Sequence, residues 1–432
     1  MSAWANKSGP QHVAAKMPQI VAGAQSIRSQ TGTQAVDQSR ALRILHVTNS
    51  MGLGGTEKVV LKLAGKLSEG FDHRVCCIRN YDSGLIRNAL RPEQFMALDL
   101  QPSRFAFFVP ALMKVIRACK PDIVHSRNWG AIEAVFAARL AGVPVVVHSE
   151  HGYDVDGLHK TSLRQRLIRR LAYSTADVVF TVTRELQEFH AACARIPASR
   201  IGVLYNGVDT CSFAPRPDLR ARIRKAYGIG PEEFVIGAVG RMAAIKNYDT
   251  LVRAAGVLAR HNLNFKLVLV GDGEQLASLS SLSQSLPGVA ERILFLGQRD
   301  DVEDLLNAMD LFVQTSLREG MSNTVLEAMS SGLPVAVTGV GGNLEIVRES
   351  ETGWLFGPGN VEELAQLLLR LAADREACRR AGKAARAHVE KSFSNESMIE
   401  NYRSLYTDLA SRKAPMNRAA GNGMGSWEKN SG

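Results

Sequence analysis

The chain has 432 residues, a length that accommodates two domains with their own hydrophobic cores. Its composition, 45% hydrophobic and 22% charged, is that of a globular protein, and no apolar run approaches the roughly 20 residues that a membrane-spanning helix needs. The net charge of +10 is concentrated in the first half, where residues 41–208 carry 22 Lys and Arg against 14 Asp and Glu, while residues 209–412 carry 23 against 26. This asymmetry predicts an anionic partner for the first half: a membrane surface, nucleic acid or a phosphorylated ligand.

The two ends of the chain differ from the rest. Residues 1–40 are rich in Ser, Gln, Ala and Gly and lack the continuous apolar segment of a secretory signal, so we expect a disordered leader. Residues 413–432 are predicted to be a disordered tail.

The cysteines show no metal-ligand spacing, which favours reduced core thiols in a cytoplasmic protein. They are Cys76, Cys77, Cys119, Cys193, Cys211 and Cys378.

Between the ends, short β-branched apolar runs alternate with helical patterns, first over residues 43–207 and again over residues 234–342. Continuous apolar strands separated by helices predict parallel sheets that are covered on both faces. We therefore predict an α/β fold of two doubly wound Rossmann-like domains, residues 41–206 and 207–392, that face a cleft. Ligands bind beyond the carboxyl ends of such strands, so the polar residues that end each run are the candidate site.

The first strand is followed by "NSMGLGGTEK" (49–58), with glycines at Gly52, Gly54 and Gly55. A dinucleotide-binding fingerprint requires a glycine near position 57, where Glu57 stands, so the sequence gives little support for NAD binding. The pattern favours a turn that brings backbone amides and a helix N-terminus towards an anion. A tight turn without a ligand is the alternative.

A buried run ends in "SEHGYDVDG" (149–157), which places Glu150, His151 and Asp154 close together in sequence. We favour a functional role for His151 over a structural one, because it lies at the carboxyl edge of the predicted sheet. Asp154 and Asp156 form a D-x-D pattern, but three letters do not justify a metal site, and none is predicted.

The segment "TSLRQRLIRRLAYS" (161–174) has the pattern of a basic amphipathic helix, with Leu163, Leu167 and Leu171 on one face. Arginines surround that face at Arg164, Arg166, Arg169 and Arg170. The pattern fits an anionic bilayer surface, and it fits a solvated helix face of the domain equally well.

The first strand of the second set is followed by "GRMAAIKNYD" (240–249), with Arg241 and Lys246 just before a predicted helix. Two cations beside a helix N-terminus favour a diphosphate site, because fixed positive charge and free amides both stabilise an anion there. A solvated basic turn is the alternative.

Two glutamates follow a later strand, in "LREGMSNTVLEAM" (317–329). We predict a loop that carries Glu319 and a helix that begins near Ser322 and carries Glu327. Val325 and Met329 should face the core, which leaves the two carboxylates facing the same crevice.

Together these motifs resemble the retaining, nucleotide-sugar-dependent glycosyltransferases of the GT-B fold, glycosyltransferase family 4. The resemblance covers most of residues 43–410 and is most specific at "EGMSNTVLEAMSSGLPV", where Glu319 and Glu327 match the E-x7-E signature. The segments "HSEHGYD" and "KPDIVHSRN" resemble sugar transferases of bacterial exopolysaccharide and exosortase systems.

The resemblance implies roles for these residues. Glu319 would contact hydroxyls of the donor sugar, and Glu327 the ribose of the nucleotide. Arg241 and Lys246 would hold the donor diphosphate, and His151 would lie near the reacting sugar. Further donor-binding positions are implied at Gly54, Gly55, Gly273, Gly297, Arg299, Gly320, Met321, Ser322 and Asn323. Many members have a glycine where Ser322 stands, so we expect less room in this loop.

The resemblance also implies the reaction. A sugar would pass from a UDP- or GDP-sugar, which is a co-substrate and not a cofactor, to an acceptor hydroxyl with retention of configuration and without a metal. The expected acceptor is a lipid-linked glycan at the inner face of the cytoplasmic membrane, and a final helix (393–412) would return to the first domain. A nucleotide-sugar epimerase of the same fold and a non-catalytic nucleotide-sugar binder are the alternatives. Nucleic acid is not expected as a partner, because the basic segment lacks interleaved aromatic residues.

Overall fold

The computed structural model describes residues 40–52, 54–100, 105–153 and 162–419. In this part of the chain the first half forms a parallel seven-stranded sheet with the order β3-β2-β1-β4-β5-β6-β7. Its strands are β1 (Leu42–Thr48), β2 (Phe71–Cys77), β3 (Phe95–Ala97), β4 (Ile123–Arg127), β5 (Val145–Glu150), β6 (Val178–Thr181) and β7 (Gly202–Val203). The helices between them are α1 (Gly55–Lys66), α2 (Ser83–Ala89), α3 (Phe105–Cys119), α4 (Glu133–Leu140), α5 (Leu163–Thr175) and α6 (Arg184–Ala194).

The second half forms a parallel sheet of six strands within the described ranges, in the order β10-β9-β8-β11-β12-β13. The strands are β8 (Phe234–Val239), β9 (Phe265–Val270), β10 (Ile293–Phe295), β11 (Leu311–Gln314), β12 (Val335–Thr338) and β13 (Gly353–Phe356). Its helices are α7 (Pro217–Ala226), α8 (Tyr248–Arg260), α9 (Leu276–Ser285), α10 (Val302–Leu306), α11 (Asn323–Ser330), α12 (Asn343–Ile346), α13 (Val361–Ala373) and α14 (Arg375–Ser392). The predicted α/β class with two parallel sheets is confirmed.

Apolar side chains cover both faces of each sheet, as the continuous apolar runs predict. In β1, Leu45 and Val47 join the cluster beneath α3 and α4, whereas Ile44 joins the cluster beneath α1 and the final helix. In β8, Ile236 packs on the α8 side and Val235 on the α11 side. Apolar packing therefore holds helices on both faces of each sheet.

Each sheet reverses its strand order at one point, between β1 and β4 in the first half and between β8 and β11 in the second. The loops that leave neighbouring strands at such a point diverge to opposite faces, which opens a crevice at their carboxyl ends. The glycine turn follows β1, the Arg241–Lys246 segment follows β8, and the Glu319 loop follows β11. The fold thus places three of the predicted motifs at the two switch points.

Two adjacent segments connect the halves, one around Val208 and the other around Ser394. The Val208 N–H donates to the Phe393 carbonyl at 2.9 Å, and the Asn395 N–H donates to the Val208 carbonyl at 2.8 Å. Gly207 fits this crossing because an added Cβ would lie 2.7 Å from the Ser394 carbonyl oxygen. Any movement of one half relative to the other would bend both segments together.

The final helix α15 (Asn395–Ala419) lies against the first sheet. Met398, Tyr402 and Tyr406 are buried there among residues of β1, β5 and β6. The helix continues to Ala419, past residue 413, where the tail was predicted to begin. Residues 420–432 and residues 1–39 of the predicted leader lie outside the described part of the chain.

Candidate active site

A cation and a carboxylate meet at the carboxyl edge of the second sheet. Lys246 Nζ lies 2.5 Å from Glu319 Oε2, and Ser316 Oγ donates to the same oxygen at 3.1 Å. Lys246 belongs to the turn that precedes α8, and Arg241 is exposed at the start of the same loop. Lys246 and Glu319 remain 27% and 13% exposed, so both charges can be reached from the cleft.

Glu327 lies on α11, whose N-terminus is capped by Ser322 as predicted. Desolvation raises the pKa of Glu327, and the charges of Lys58 and Lys62 on α1 partly offset this effect. Because α1 belongs to the first half, the Glu327 carboxylate experiences the field of the opposite wall of the cleft. Val325 and Met329 are fully buried, which confirms that the helix turns its apolar side to the core.

The glycine turn of the first half approaches the N-terminus of α11. An added Cβ at Gly55 would lie 2.9 Å from Asn323 Nδ2, so a side chain at this position would displace the side chain of Asn323. Gly54 is the extended N-cap residue of α1. The turn therefore presents the amides of a helix N-terminus to the cleft beside α11.

The Glu319 loop contacts the first half a second time, through Gly320. An added Cβ at Gly320 would lie 2.9 Å from the His151 carbonyl oxygen. The Gly320 carbonyl accepts a hydrogen bond from the Gly342 N–H at 2.8 Å. The fold thus places His151, Gly320 and Glu319 at one place between the halves.

His151 is held by polar groups at the end of β5. The backbone N–H of His151 donates to Asn128 Oδ1 at 2.8 Å, and the ring Nε2 lies 2.9 Å from Ser149 Oγ. Burial, and then the charge of Arg127, lower the pKa of His151 to about 3. The imidazole is therefore neutral at physiological pH and is not a cation for phosphate.

Glu150, the neighbour of His151 in sequence, does not belong to this cleft. It is buried, and it accepts a hydrogen bond from the Tyr173 hydroxyl at 2.9 Å. Desolvation opposes its ionisation, but His190, His148 and Arg169 outweigh that effect and hold its pKa far below the usual range. Glu150 and His151 are neighbours in sequence but do not share a site, because successive residues of a strand point to opposite faces. Asp154 and Asp156 lie outside the described residues.

The remaining positions of the Glu319 loop serve the loop itself. Met321 packs into the core of the second half, and its Sδ accepts a hydrogen bond from the Asn206 N–H at 3.1 Å. Ser322 accepts a hydrogen bond from Gln314 Nε2 at 2.7 Å in addition to capping α11. These side chains hold the loop in place.

Gly273 and Gly297 follow β9 and β10. Gly273 has a φ of +153°, and an added Cβ would lie 2.6 Å from the Met242 carbonyl oxygen, so only glycine fits beside the Arg241 loop. Gly297 has a φ of +64°, and its carbonyl accepts from the Gly271 N–H at 2.7 Å. Arg299 is exposed and pairs with Asp301 at 2.8 Å, farther along the same edge.

Two family models match the chain, Glycosyltransferase Family 4 over residues 53–211 and Glycosyl transferases group 1 over residues 220–388. N-acetyl-alpha-D-glucosaminyl L-malate synthase of Bacillus anthracis is 30% identical over 288 residues, which cover 66% of this chain and 74% of that protein. This chain belongs to these glycosyltransferase families.

Other glycosyltransferases match over more of their length. UDP-Gal:alpha-D-GlcNAc-diphosphoundecaprenol alpha-1,3-galactosyltransferase of Escherichia coli is 29% identical over 395 residues, 86% of this chain and 98% of that enzyme. A Bacillus subtilis protein with the name glycosyltransferase EpsF is 30% identical, with coverage of 68% of this chain and 79% of its own length.

Solved structures share the fold of this glycosyltransferase. Anabaena Alr3699/HepE in complex with UDP superposes with a TM-score of 0.73 at 23% identity, over 85% of this chain and 100% of that one. A glycosyltransferase from Rickettsia africae ESF-5 gives a TM-score of 0.74 at 19% identity, over 85% and 98%. The predicted GT-B fold is confirmed.

The basic amphipathic segment of the glycosyltransferase forms α5, and Thr161 lies outside the described residues. Leu163, Leu167 and Leu171 are 77%, 59% and 50% exposed, so this apolar face is not packed on the domain. Arg169 is fully buried with its guanidinium 4.9 Å from the centre of the Trp129 ring. The expectation that Arg169 flanks the exposed leucines was wrong, because it lies on the inner face of the helix.

In the described part of the glycosyltransferase no helix is long and apolar enough to cross a membrane. The same residues contain no group of three or more His, Cys, Asp or Glu side chains arranged to hold a metal ion. The six cysteines are unpaired thiols, of which Cys211 is exposed.

Sequence reasoning missed several residues that shape the site. Asn128 follows β4 with a positive φ of 57°, and its side chain accepts a hydrogen bond from the His151 backbone N–H. Lys62 on α1 donates to the Gly207 carbonyl at 2.9 Å and acts on Glu327. A search of every strand end would have found Asn128, whereas Lys62 has no local signal, because its role depends on how the halves face each other.

Proposed function

We propose that this glycosyltransferase transfers a sugar from a nucleoside diphosphate sugar to an acceptor hydroxyl with retention of anomeric configuration. The observation that carries the proposal is the arrangement of Lys246, Arg241 and Glu319 at the carboxyl edge of the second sheet, opposite His151 and the glycine turn. This arrangement supplies both the cations that a diphosphate requires and the carboxylate that sugar hydroxyls require.

The leaving group gains negative charge as the bond between the anomeric carbon and the diphosphate oxygen breaks. Lys246, Arg241 and the amides at the N-terminus of α8 are positioned to stabilise this charge, which is the electrostatic work of the site. These groups form a fixed positive environment, and we propose that turnover needs no divalent ion. The acceptor oxygen forms the new bond on the same face, and its proton passes to the leaving phosphate.

The two glutamates have different surroundings, which supports different roles. Glu319 is paired with Lys246 at the edge where phosphate and sugar would meet, and we assign it to the donor sugar. Glu327 is desolvated on α11 and faces the lysines of α1, and we assign it to the ribose hydroxyls of the nucleotide. His151 is neutral, so its contact with the donor would be a hydrogen bond between uncharged groups.

The acceptor that we propose is a lipid-linked glycan of bacterial exopolysaccharide biosynthesis. The name of the Escherichia coli relative specifies a diphosphoundecaprenol-linked acceptor, and the match covers 98% of that enzyme. The strand-end segments of this chain resemble exopolysaccharide transferases, which supports the same class. Because a polyprenol-linked substrate stays in the bilayer, the enzyme would work at the inner face of the cytoplasmic membrane.

Helix α5 is the surface that we propose for membrane contact. Its exposed leucines form an apolar stripe, and Arg164 and Arg170 are exposed beside it, a combination that suits an anionic bilayer.

Changing both Arg164 and Arg170 to Gln should weaken binding to anionic vesicles by roughly fivefold for each charge at low salt. The double variant Arg379→Gln and Arg380→Gln, on exposed α14, is the control. Binding that is absent in the wild type, or insensitive to salt and to the α5 variants, would contradict membrane contact.

The central experiment incubates the protein with separate UDP- and GDP-sugars and a bacterial lipid extract, with and without EDTA. The HepE structures contain UDP and UDP-glucose, so UDP-sugars are tested first. We expect nucleotide release that depends on lipid acceptor, persists in EDTA and yields a product with the anomeric configuration of the donor. Conversion of the donor without acceptor would indicate an epimerase, and donor binding without any conversion would indicate a non-catalytic binder.

A further inference from the structure

A chain of hydrogen bonds links His151 to the final helix. Tyr406 Oη lies 2.7 Å from His125 Nδ1, His125 Nε2 lies 2.9 Å from Ser149 Oγ, and Ser149 Oγ lies 2.9 Å from His151 Nε2. We call these four side chains the tyrosine relay. Tyr406, His125 and Ser149 are fully buried, so solvent does not compete for these bonds.

Both imidazoles of the tyrosine relay are neutral. Desolvation, and then the charge of Arg127, hold the pKa of His125 well below its ordinary value and lower the pKa of His151 to about 3. A neutral imidazole has one N–H donor and one bare acceptor nitrogen. If the Ser149 hydroxyl donates within the relay, the hydrogens can be arranged in two ways, which run in opposite directions along the four side chains.

In the first direction Tyr406 donates to His125 Nδ1, so His125 carries its hydrogen on Nε2 and donates to Ser149. Ser149 then donates to His151 Nε2, and His151 carries its hydrogen on Nδ1. In the second direction every bond is reversed, and Nδ1 of His151 is a bare acceptor. The two directions thus give His151 opposite hydrogen-bonding character at the same atom.

Tyr406 decides between these directions. Its hydroxyl is paired with His125 Nδ1, and in the second direction the phenolic hydrogen would have to find another acceptor in a fully buried place. An unsatisfied buried donor costs roughly 1–3 kcal/mol. Burial raises the pKa of Tyr406, so the phenol keeps its hydrogen, and the nearby charge of Arg127 attracts the phenolic oxygen and repels that hydrogen.

The open end of the tyrosine relay is His151 Nδ1. This atom is shielded from solvent and makes no hydrogen bond with the described residues. The ring is adjacent to the place where Gly320 meets the His151 backbone, between the two halves. In the first direction Nδ1 carries a donor that an oxygen of a bound ligand would satisfy.

We propose that Tyr406 is a positioning residue that acts through His125 and Ser149 to hold His151 as the Nδ1–H tautomer. His151 then donates a hydrogen bond to an oxygen of the donor substrate and does not act as a proton acceptor. The identity of that substrate rests on the proposed function, whereas the tautomer of His151 does not. The final helix thereby takes part in the site through side chains that are buried against the first sheet.

The tautomer can be measured directly by long-range ¹H–¹⁵N correlation spectra of the full-length protein labelled with ¹⁵N-histidine. The variant His151→Gln identifies the His151 signals by their loss. In the wild type we expect the hydrogen on Nδ1, and in Tyr406→Phe we expect signals of both tautomers, since the deciding donor is gone. His151 with its hydrogen on Nε2 in the wild type, or a tautomer that is unchanged in Tyr406→Phe, would overturn the proposal.

Tyr402→Phe is the matched control. Tyr402 lies one turn earlier on α15 and is equally buried, but its hydroxyl is not a member of the tyrosine relay. We expect the His151 tautomer to be unchanged in this variant. A change of the same size in Tyr402→Phe would show that loss of a buried hydroxyl from α15 disturbs the sheet generally, and would also overturn the proposal.

Kinetics give a second and separate readout. Tyr406→Phe should lower kcat by roughly fivefold, the factor of one neutral hydrogen bond, with nucleotide affinity unchanged. Absence of glycosyl transfer in the wild type would count against the proposed function and leave the spectra to decide the tautomer. A lower kcat in Tyr406→Phe with an unchanged tautomer would count against the relay and leave the proposed function standing.

Discussion

The two halves build their parts of the site on the same kind of sheet edge but place different kinds of group there. The second half presents Lys246 and Glu319, which are charged, paired and partly exposed. The first half presents His151, whose pKa burial lowers to about 3, supported by buried neutral groups. The difference teaches that the strand ends of one kind of sheet can supply an ion pair in one half and directed neutral hydrogen bonds in the other.

Removal of a charge from the second half should have the largest effect. Lys246→Ala leaves Glu319 without its cation and removes positive charge from the proposed diphosphate site, so we expect kcat/KM to fall by about 10²-fold to 10³-fold. Steady-state kinetics with the donor found in the panel measures this effect. Lys266→Ala, which removes a lysine of the same sheet that bonds the Glu291 carbonyl, should stay near wild type. Equal losses in both variants would refute the assignment.

The two carboxylates of the second half should separate in their effects. Glu319→Ala should lower kcat by about 10²-fold with a small change in nucleotide affinity, because its proposed contact is to the reacting sugar. Glu327→Ala should raise the Kd of the nucleotide by about tenfold with a smaller effect on kcat, through lost ribose contacts. Calorimetric titration with nucleoside diphosphate and kinetics of both variants test this. A Glu319→Ala enzyme with wild-type turnover would contradict the division of roles.

The buried histidines of the first half predict a pH dependence of stability. The folded pKa of His73 is about 4 and that of His151 about 3, both below the value near 6.5 of an unfolded chain. The contribution of each neutral histidine to the free energy of unfolding is complete above pH 6.5. It is lost as the pH falls towards the folded pKa, by roughly 2 kcal/mol for each group at pH 5. Urea unfolding at pH 7 and pH 5 measures this loss.

His73→Gln should reduce the loss of unfolding free energy between pH 7 and pH 5 by about 2 kcal/mol, because the variant no longer carries a buried imidazole that must remain neutral. The control is His261→Gln, at an exposed position of the second half, which should leave the pH dependence unchanged. If His73→Gln keeps the full wild-type loss between pH 7 and pH 5, the histidines of the first half are not its source.

The contact between the halves should give the smallest effect. Gly320→Ala places a methyl group 2.9 Å from the His151 carbonyl oxygen, and we expect about 1–3 kcal/mol of strain that separates the walls and lowers kcat/KM by roughly tenfold. Gly152→Ala, beside His151 but with open space around its Cβ, is the control. Activity together with small-angle scattering would detect the separation. Equal activity of both variants would mean that this contact does not position the site.

Much of the fold could be predicted from the sequence, because strands and helix caps leave local signals. The apolar runs predicted most strands, and the start of a helix near Ser322 was predicted from the residue types there. The strands β3 and β13 were missed, since each is short and lies at a sheet edge where the continuous apolar pattern is weak. The residues that end the predicted strands supplied most of the candidate site.

Side-chain direction was harder to predict than position. Arg169 was grouped with the arginines around the apolar face of α5 and is buried. Glu150 is adjacent to His151 in sequence, yet its carboxylate accepts a hydrogen bond from Tyr173 inside the first half. A basic amphipathic pattern does not reveal which side of the helix meets the domain when arginines occur on both. The separation of Glu150 from His151 follows from the alternation of side chains along a strand.

The sequence by itself determined the order of strands and helices, the turns that follow them, and the E-x7-E spacing, because these depend on neighbours within a few residues. Only the tertiary structure decided that Lys246 pairs with Glu319, 73 positions away, and that His125 bonds Tyr406, 281 positions away. Such contacts depend on the packing of whole elements, which moves remote residues to hydrogen-bonding distance and removes the water that would otherwise compete for their polar groups.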